Sequence, residues 1–302
     1  MNQEKTTVVQ HESYQGDYRL LRLAAPVIGP QVQPGQFVHL RIPRFEQAVL
    51  RRPFSVFKAD EEGLSVLYAT VGAGTASLNS VQPGEQIDII GPLGNGFPSL
   101  GTRLHRGAQN VSSFGKDAIL PVLVAGGYGN AALYLQAKKL PVKGIAFFGG
   151  RTAKDILCVD EFKALGWDVR VATDDGSLGT KGLVTAAFDP WLEEQGVGNR
   201  DRESEVGGQP ESDDFQGLEK MGGGSAAVEV FACGPNPMLR AIGDRALEKG
   251  FTAWLSMDRN MACGVGACLT CVIKRKTETG WEWARCCKDG PVFNAEEILW
   301  ED

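Results

Sequence analysis

Ala118–Leu133, AILPVLVAGGYGNAAL, is the stretch on which the fold turns. From Ala118 to Ala125 it is a continuous apolar run, the pattern of a strand buried on both faces of a parallel sheet. It runs into Gly126-Gly127-Tyr128-Gly129-Asn130, and a helix follows (AALYLQAKKL). Strand, glycine turn and helix form a setting in which phosphate meets a helix N-terminus. A plain strand-to-helix turn is the alternative reading. Further strands follow at GIAFFGG, VRVATDD and AVEVFACG, the last ending in Cys233-Gly234-Pro235-Asn236-Pro237-Met238. Open α/β sheets bind ligands at the C-terminal ends of their strands, where these glycine and polar clusters fall. Residues 117–250 are therefore expected to form a parallel α/β nucleotide-binding domain.

On the N-terminal side, residues 1–99 change character. YRLLRLAAP, QFVHLRI, LSVLYATVG and EQIDIIGPLG are short, partly alternating runs separated by glycine or Pro-Gly turns. An antiparallel barrel fits them. Arg52-Pro53-Phe54-Ser55 sets a guanidinium beside an aromatic and a hydroxyl, a combination that binds phosphate and stacks on a flat ring. Gly72-Ala73-Gly74-Thr75 exposes backbone N–H groups to an anion and adds a hydroxyl. A surface arginine and an ordinary turn are the bland readings of each motif alone. Their order, about twenty residues apart on successive strands, is the more telling feature. Leu93-Gly94-Asn95-Gly96-Phe97 closes this segment as a turn-rich loop. Leu100–Lys116 reads as a linker.

On the C-terminal side, residues 251–302 hold five of the seven cysteines. Cys263, Cys268 and Cys271 are spaced C-x4-C-x2-C, the local triplet of plant-type 2Fe–2S ferredoxins, and a fourth thiolate follows in Cys286-Cys287. The small loop Gly264–Ala267 lets backbone curl around an inorganic core. A four-cysteine zinc site is the rival, and its usual paired C-x2-C spacing fits poorly. Either Cys286 or Cys287 can supply the fourth ligand on spacing alone.

Composition sets the class. A chain of 302 residues with 43% hydrophobic content suits two or three globular domains. No apolar leader opens the sequence and no run of eighteen apolar residues occurs, so a cytoplasmic protein without a membrane span is expected. The net charge of −6 argues against nucleic acid as a partner. Most of that excess lies in 201–226, DRESEVGGQPESDDFQGLEKMGGGSA, where seven acids face only Arg202 and Lys220. With few large apolar residues it is expected to be a flexible insertion. His11, His39 and His105 lie near no other catalytic candidate in sequence, so structural or surface roles are expected for them, and no catalytic residue is assigned.

RPFS, GxGT, AGGYGNAAL and CGPNPM, in that order, resemble the ferredoxin–NADP reductase superfamily. ATDDGSLGTKGLVT, MACGVGACLTCVIK and CKDGPVF together resemble the electron-transfer subunit of type B dihydroorotate dehydrogenase, over nearly the whole chain except 201–226. The resemblance implies a multidomain β plus α/β protein: an FAD-binding antiparallel barrel, an NAD-binding α/β domain and a small C-terminal 2Fe–2S domain. It implies that Arg52, Pro53, Phe54 and Ser55 face the flavin with Leu67, Tyr68 and Ala69, and that Gly74 and Thr75 take the pyrophosphate. It places Gly126, Gly127 and Gly129 at the nicotinamide nucleotide, with Cys233 and Gly234 as further cofactor-binding candidates. Asp174 and Asp175 stand where an acid bonds ribose hydroxyls, which favours NAD over NADP. It selects Cys287 over Cys286 as the fourth ligand beside Cys263, Cys268 and Cys271. The family usually has proline where this chain has Ala132, and an apolar residue or threonine where it has Asn130, which implies an altered nucleotide loop.

The implied activity is electron transfer in pyrimidine biosynthesis. An FMN-containing catalytic subunit, in a heterotetramer, oxidises dihydroorotate to orotate and passes electrons through the cluster and FAD to NAD. An NAD(P)H reductase subunit of a ferredoxin- or hydrogenase-linked complex is the alternative, and a metal-stabilised scaffold without flavin or nucleotide is a third reading.

Overall fold

A computed structural model describes residues 1–45, 49–103, 112–113, 119–197 and 227–301. The acidic insertion 201–226 and most of the linker 100–116 lie outside them.

The first part is a closed antiparallel barrel. Its strands are β1 (Asn2–Gln15), β2 (Tyr18–Ala24), β3 (Phe37–Leu40), β4 (Arg52–Asp60), β5 (Gly63–Ala69) and β6 (Gln86–Leu93), in the order β1-β2-β5-β4-β3-β6. A short helix, α1 (Ala73–Leu78), follows β5. Alternation does the work here: Leu21 and Leu23 of β2, Val38 and Leu40 of β3, and Ile87 and Ile89 of β6 all point into one buried core.

A two-stranded pair, β7 (Thr102–Arg103) with β8 (Ser112–Ser113), leads to the second part. There β9 (Ile119–Gly126), α2 (Gly129–Lys139), β10 (Ile145–Gly150), α3 (Val159–Ala164), β11 (Asp168–Thr173), β12 (Thr180–Lys181), α4 (Thr185–Glu194), β13 (Ala227–Cys233), α5 (Asn236–Lys249) and β14 (Thr252–Ser256) alternate. β9 is central and parallel to both β10 and β13, and Val122 to Ala125 are fully buried, as its unbroken apolar run predicts.

The last part holds the hairpin β15 (Val272–Thr277) and β16 (Gly280–Arg285), then β17 (Val292–Asn294) and β18 (Ile298–Leu299). The sheet order is β12-β11-β10-β9-β13-β14-β17. This corrects the boundary expected at residue 251. β14 pairs in parallel with β13, and β17 pairs antiparallel with β14, so both belong to the nucleotide-domain sheet. The cysteine-rich composition begins only after Ser256, and composition does not report which strand completes a sheet edge.

Barrel and sheet share a core. α2 packs on β9 behind it and on β4 in front of it. Phe57 of β4 meets Tyr134 of α2 at 5.0 Å, and Tyr134 meets Phe162 of α3 edge-on at 5.8 Å. The buried Glu229 of β13 accepts from the Gly101 amide at 2.6 Å and the Trp254 indole at 2.8 Å, fastening the chain as it leaves the barrel. Among the described residues no helix is long and apolar enough to cross a membrane.

Gly129 shows how tight the helix–strand contact is. A Cβ there would lie 2.0 Å from the Cys233 carbonyl oxygen. Gly129→Ala is therefore expected to lower the unfolding free energy by about 3 kcal/mol, the upper end for overpacking against rigid backbone. Urea titration measures this, and an unchanged midpoint would mean that α2 and β13 separate freely.

Candidate functional site

Two cavities open along the junction of barrel and sheet. The first has a volume of about 520 Å³. Arg52, Pro53, Phe54 and Ser55 from β4, Leu67, Tyr68 and Ala69 from β5, and Gly72–Thr75 line its barrel side. Tyr128, Ala131, Cys233, Gly234, Ser256–Asp258, Met261 and Pro291 line the other. Every residue expected at the flavin thus meets in one space. Its walls are mainly apolar, with a cation and hydroxyls at one end, which suits a flat ring joined to an anionic tail.

The individual roles differ in detail from expectation. Arg52 donates from Nη1 to the Leu50 carbonyl at 2.8 Å and lies over Gly74, where a Cβ would come 3.5 Å from its Nε. It stands beside the first-turn amides of α1, which have no partner within the helix. The Thr75 hydroxyl accepts from the Val71 and Gly72 amides and donates to the Gly72 carbonyl, so it shapes the turn. Tyr68 offers its ring, since its hydroxyl donates to Asn79 Oδ1 at 2.9 Å and meets His11 Nε2 at 2.8 Å. Burial pushes that phenol up to about 12.

The second cavity, about 460 Å³, lies at the C-terminal ends of the parallel strands. Gly126, Gly127, Gly149, Gly150, Arg151, Asp155, Asp174 and Thr185 line it, with Pro235 and Met238 opposite. Gly126 must be bare, because a Cβ would meet Pro235 Cδ at 2.9 Å and Met238 Sδ at 3.0 Å. Gly127 takes φ +56°. Gly129 and Asp175, both expected at the nucleotide, do not line the cavity. Gly129 serves the helix–strand contact. Asp175 Oδ1 accepts from the Ser177 amide and hydroxyl, which hold its carboxyl below the usual range. Asn130 is buried and donates from Nδ2 to the Leu157 carbonyl at 3.0 Å, while Ala132 is buried in the shared core. These departures therefore tie and fill the back of α2.

Tyr128 and Gly234 line both cavities, so ligands in the two spaces meet across them. The Tyr128 hydroxyl donates to Asp258 Oδ2 at 2.8 Å, and burial raises its pKa. Sequence reasoning missed Tyr128, Asp258, Arg151 and Tyr18. Arg151 directly follows the strand ending GIAFFGG and carried a readable signal. Ser256–Asp258 reach the cavity only because β14 joins the sheet.

The cysteine loop lies against the barrel. Gly264, Gly266 and Leu269 have φ of +69°, +85° and +56°. Cys263 Sγ accepts from the Val265 amide at 3.5 Å and the Ala267 amide at 3.3 Å, and Cys271 Sγ accepts from the Cys287 amide at 3.4 Å. Among the described residues no three His, Cys, Asp or Glu side chains close on a single point. Cys268 Sγ meets the Thr270 hydroxyl at 3.2 Å. Hydrogen bonds from the Thr270 side chain and amide bring the Cys268 thiol down to about 6. Burial pushes Cys286 and Cys287 up to about 12. Such a small-residue loop with amides directed at sulfur fits an anionic iron–sulfur core.

Two fastenings hold this loop. Arg285 chelates Asp289 through Nε at 2.9 Å and Nη2 at 3.0 Å, and its Nη1 donates to the Gly266 carbonyl at 3.1 Å. Asn95, from the glycine-rich barrel loop, donates through its amide to the Gly290 carbonyl at 2.5 Å and through Nδ2 to the Lys288 and Asp289 carbonyls. The turn carrying Cys287 is thus bound to both the cysteine loop and the barrel.

Residues 258–299 match the iron–sulfur cluster binding domain of dihydroorotate dehydrogenase B. The chain is 33% identical over 305 aligned residues, 99% of each chain, to a protein of Geobacillus sp. (strain WCH70) named dihydroorotate dehydrogenase B (NAD(+)), electron transfer subunit. A Bacillus caldolyticus protein of the same name is 34% identical over 92% of this chain and 91% of its own. The chain belongs to the dihydroorotate dehydrogenase B electron transfer subunit family. Among solved structures, one described as an NADH-dependent reduced ferredoxin-NADP oxidoreductase aligns with TM-score 0.72 and 27% identity, covering 98% of this chain and 90% of that one. The cytochrome b5 reductase domain of Ulva prolifera nitrate reductase aligns with TM-score 0.56 and 16% identity over 83% and 94%, a likeness of fold.

Arg52 is expected to dominate flavin retention in this family member. Charge-assisted hydrogen bonds contribute about 1.5–3 kcal/mol, so Arg52→Ala should weaken FAD binding by roughly 10- to 100-fold. Flavin absorbance after gel filtration reads the loss, with iron content unchanged. Full flavin stoichiometry would place the phosphate elsewhere.

Proposed function

We propose that this chain moves electrons between NAD and a partner flavin subunit that oxidises dihydroorotate to orotate in pyrimidine biosynthesis. The observation that carries the reading is the contiguity of three sites. The flavin-shaped cavity shares Tyr128 and Gly234 with the nucleotide cavity, and its barrel is bound through Asn95 to the turn that bears Cys287.

The residues take the following parts. Phe54, Leu67 and Tyr68 wall the flavin ring, Ser55 offers a hydroxyl beside it, and Arg52 with Gly74 faces the diphosphate. Gly126 and Gly127 let the nicotinamide nucleotide approach the backbone, and Asp174 accepts from its ribose. Tyr128 and Gly234 set how closely the two rings approach, and the apolar walls keep water from between them. Cys263, Cys268, Cys271 and Cys287 would hold a 2Fe–2S cluster, which would supply one-electron transfer. FAD held in this cavity would supply the conversion between two-electron hydride transfer and one-electron transfer.

The partner assigned is an FMN-containing catalytic subunit, joined in a heterotetramer in the cytoplasm. None of the seven cysteines is paired in a disulfide, which suits a reducing compartment. Dihydroorotate oxidation requires a base positioned at carbon, and that role falls to the partner.

Two experiments test this. Cys287→Ser should lose the cluster, while Cys286→Ser keeps it, because Cys287 directly precedes KDGPVF and its amide reaches Cys271 Sγ at 3.4 Å. Near-normal iron in the Cys287 variant would refute the ligand set. In stopped-flow spectroscopy the purified chain alone should reduce dyes with NADH, yet its flavin should stay oxidised on mixing with dihydroorotate. Flavin bleaching without a partner would overturn the division of labour.

A further inference from the structure

His39 stands between the flavin barrel and the cysteine loop. On β3 it pairs with Pro53 of the RPFS strand on one side and with Ile90 of β6 on the other. Its ring lies 5.6 Å from that of Phe37, a wall of the flavin cavity. The residue is 1% exposed and alternates along β3 with Val38 and Leu40, so its ring leaves the barrel core on the opposite face.

The other edge of the ring presses on the cysteine loop. A methyl group at Gly264 would lie 2.4 Å from His39 Cε1 and 2.6 Å from Nε2. Such contact leaves no room for a water between ring and loop. Gly264 adjoins Cys263, and its φ of +69° folds the chain around this edge. Among the described residues, the buried His39 Nε2 has no hydrogen-bond partner. A buried, unpaired ring nitrogen costs about 1–3 kcal/mol and calls for a cause. An apolar side chain of the same shape would avoid that cost.

The loop's chemistry indicates which partner is missing. The Val265 and Ala267 amides are already committed to Cys263 Sγ. What a loaded loop adds at this edge is anionic sulfur, an acceptor. Nε2 must then carry the proton.

We propose that His39 is a positioning residue for the cluster: its Nε2–H donates into the sulfur cage under Gly264 and stabilises the reduced state. This inference rests on the 2Fe–2S reading above. Reduction adds negative charge to the cage, and a donor to its sulfur favours the more negative state. The same side chain couples the cage mechanically to the flavin wall through Phe37 and Pro53.

The test uses the full chain with its cofactors loaded. Iron and sulfide are measured first, then the cluster midpoint by spectroelectrochemical titration. His39→Leu, which keeps the volume and loses the donor, should retain iron and make cluster reduction about tenfold less favourable, a fall of about 59 mV for one electron. His39→Gln, which restores an N–H donor, should recover most of that shift. Midpoints equal to wild type in an iron-loaded His39→Leu protein would overturn the proposal. So would equal shifts in the Leu and Gln variants, which would signify packing alone. A measurement without any variant covers the case in which His39→Leu fails to assemble. Pulsed EPR of the reduced wild-type protein labelled with ¹⁵N-histidine should show a nitrogen coupled to the cluster spin, and no coupling would overturn the proposal. Absence of iron from the wild-type protein would instead defeat the cluster assignment.

Discussion

The packing of α2 between β9 and β4 is the constraint on which the other sites depend. On one side, Gly129 lets the helix come against the Cys233 carbonyl, closer than any side chain permits. On the other, the Tyr134 ring meets Phe57 of the barrel at a tilt of 59°, and Lys58 lies over both rings, 4.5 Å from Phe57 and 5.0 Å from Tyr134. Because one helix closes both contacts, barrel and sheet share a core and cannot shift independently. The glycine turn that opens α2 is then held at the mouth of both cavities, and Tyr128 becomes their common wall.

The cysteine segment depends on that junction in turn. Its loop has little core of its own, and four residues with small side chains separate Cys263 from Cys268. Stability is borrowed from neighbours: Asn95 of the barrel holds the Cys287 turn, Arg285 joins that turn to Gly266, and β14 and β17 anchor both ends in the sheet. Electron transfer needs short, constant distances, and a loop fastened at several points to the flavin barrel provides them. The exposed start of the loop is thus held by hydrogen bonds and one chelated ion pair, while Cys271, Cys286 and Cys287 are buried in the core shared with the sheet.

Much of this was legible in the chain. β9 announced itself because a strand buried on both faces admits no polar residue. The barrel strands showed as short runs because one face meets a core and the other meets solvent. RPFS and GAGT were found because the chemistry of a flavin's ring and phosphates restricts residue type within a few positions. Other assignments went astray where residue type was right and direction unknown. Asp174 and Asp175 are chemically the same, yet only Asp174 lines the nucleotide cavity, since Asp175 is captured by Ser177. Gly127 and Gly129 look equivalent in GGYG, yet one serves the cavity and the other the packing of a helix on a strand.

By itself the sequence determined what is set by local chemistry: the C-x4-C-x2-C triplet, the apolar parallel strand with its glycine turn, and the order of the motifs along the chain. Each is a short-range requirement that a few adjacent residues satisfy or fail. Only the tertiary structure decided that β14 and β17 complete the sheet, that Arg151 and Asp258 reach the cavities, and that His39 rests its ring on Gly264. Those facts depend on which distant strands pair and on which way each side chain leaves them. A one-residue change of register moves a side chain to the opposite face, and no local pattern of residues records that choice.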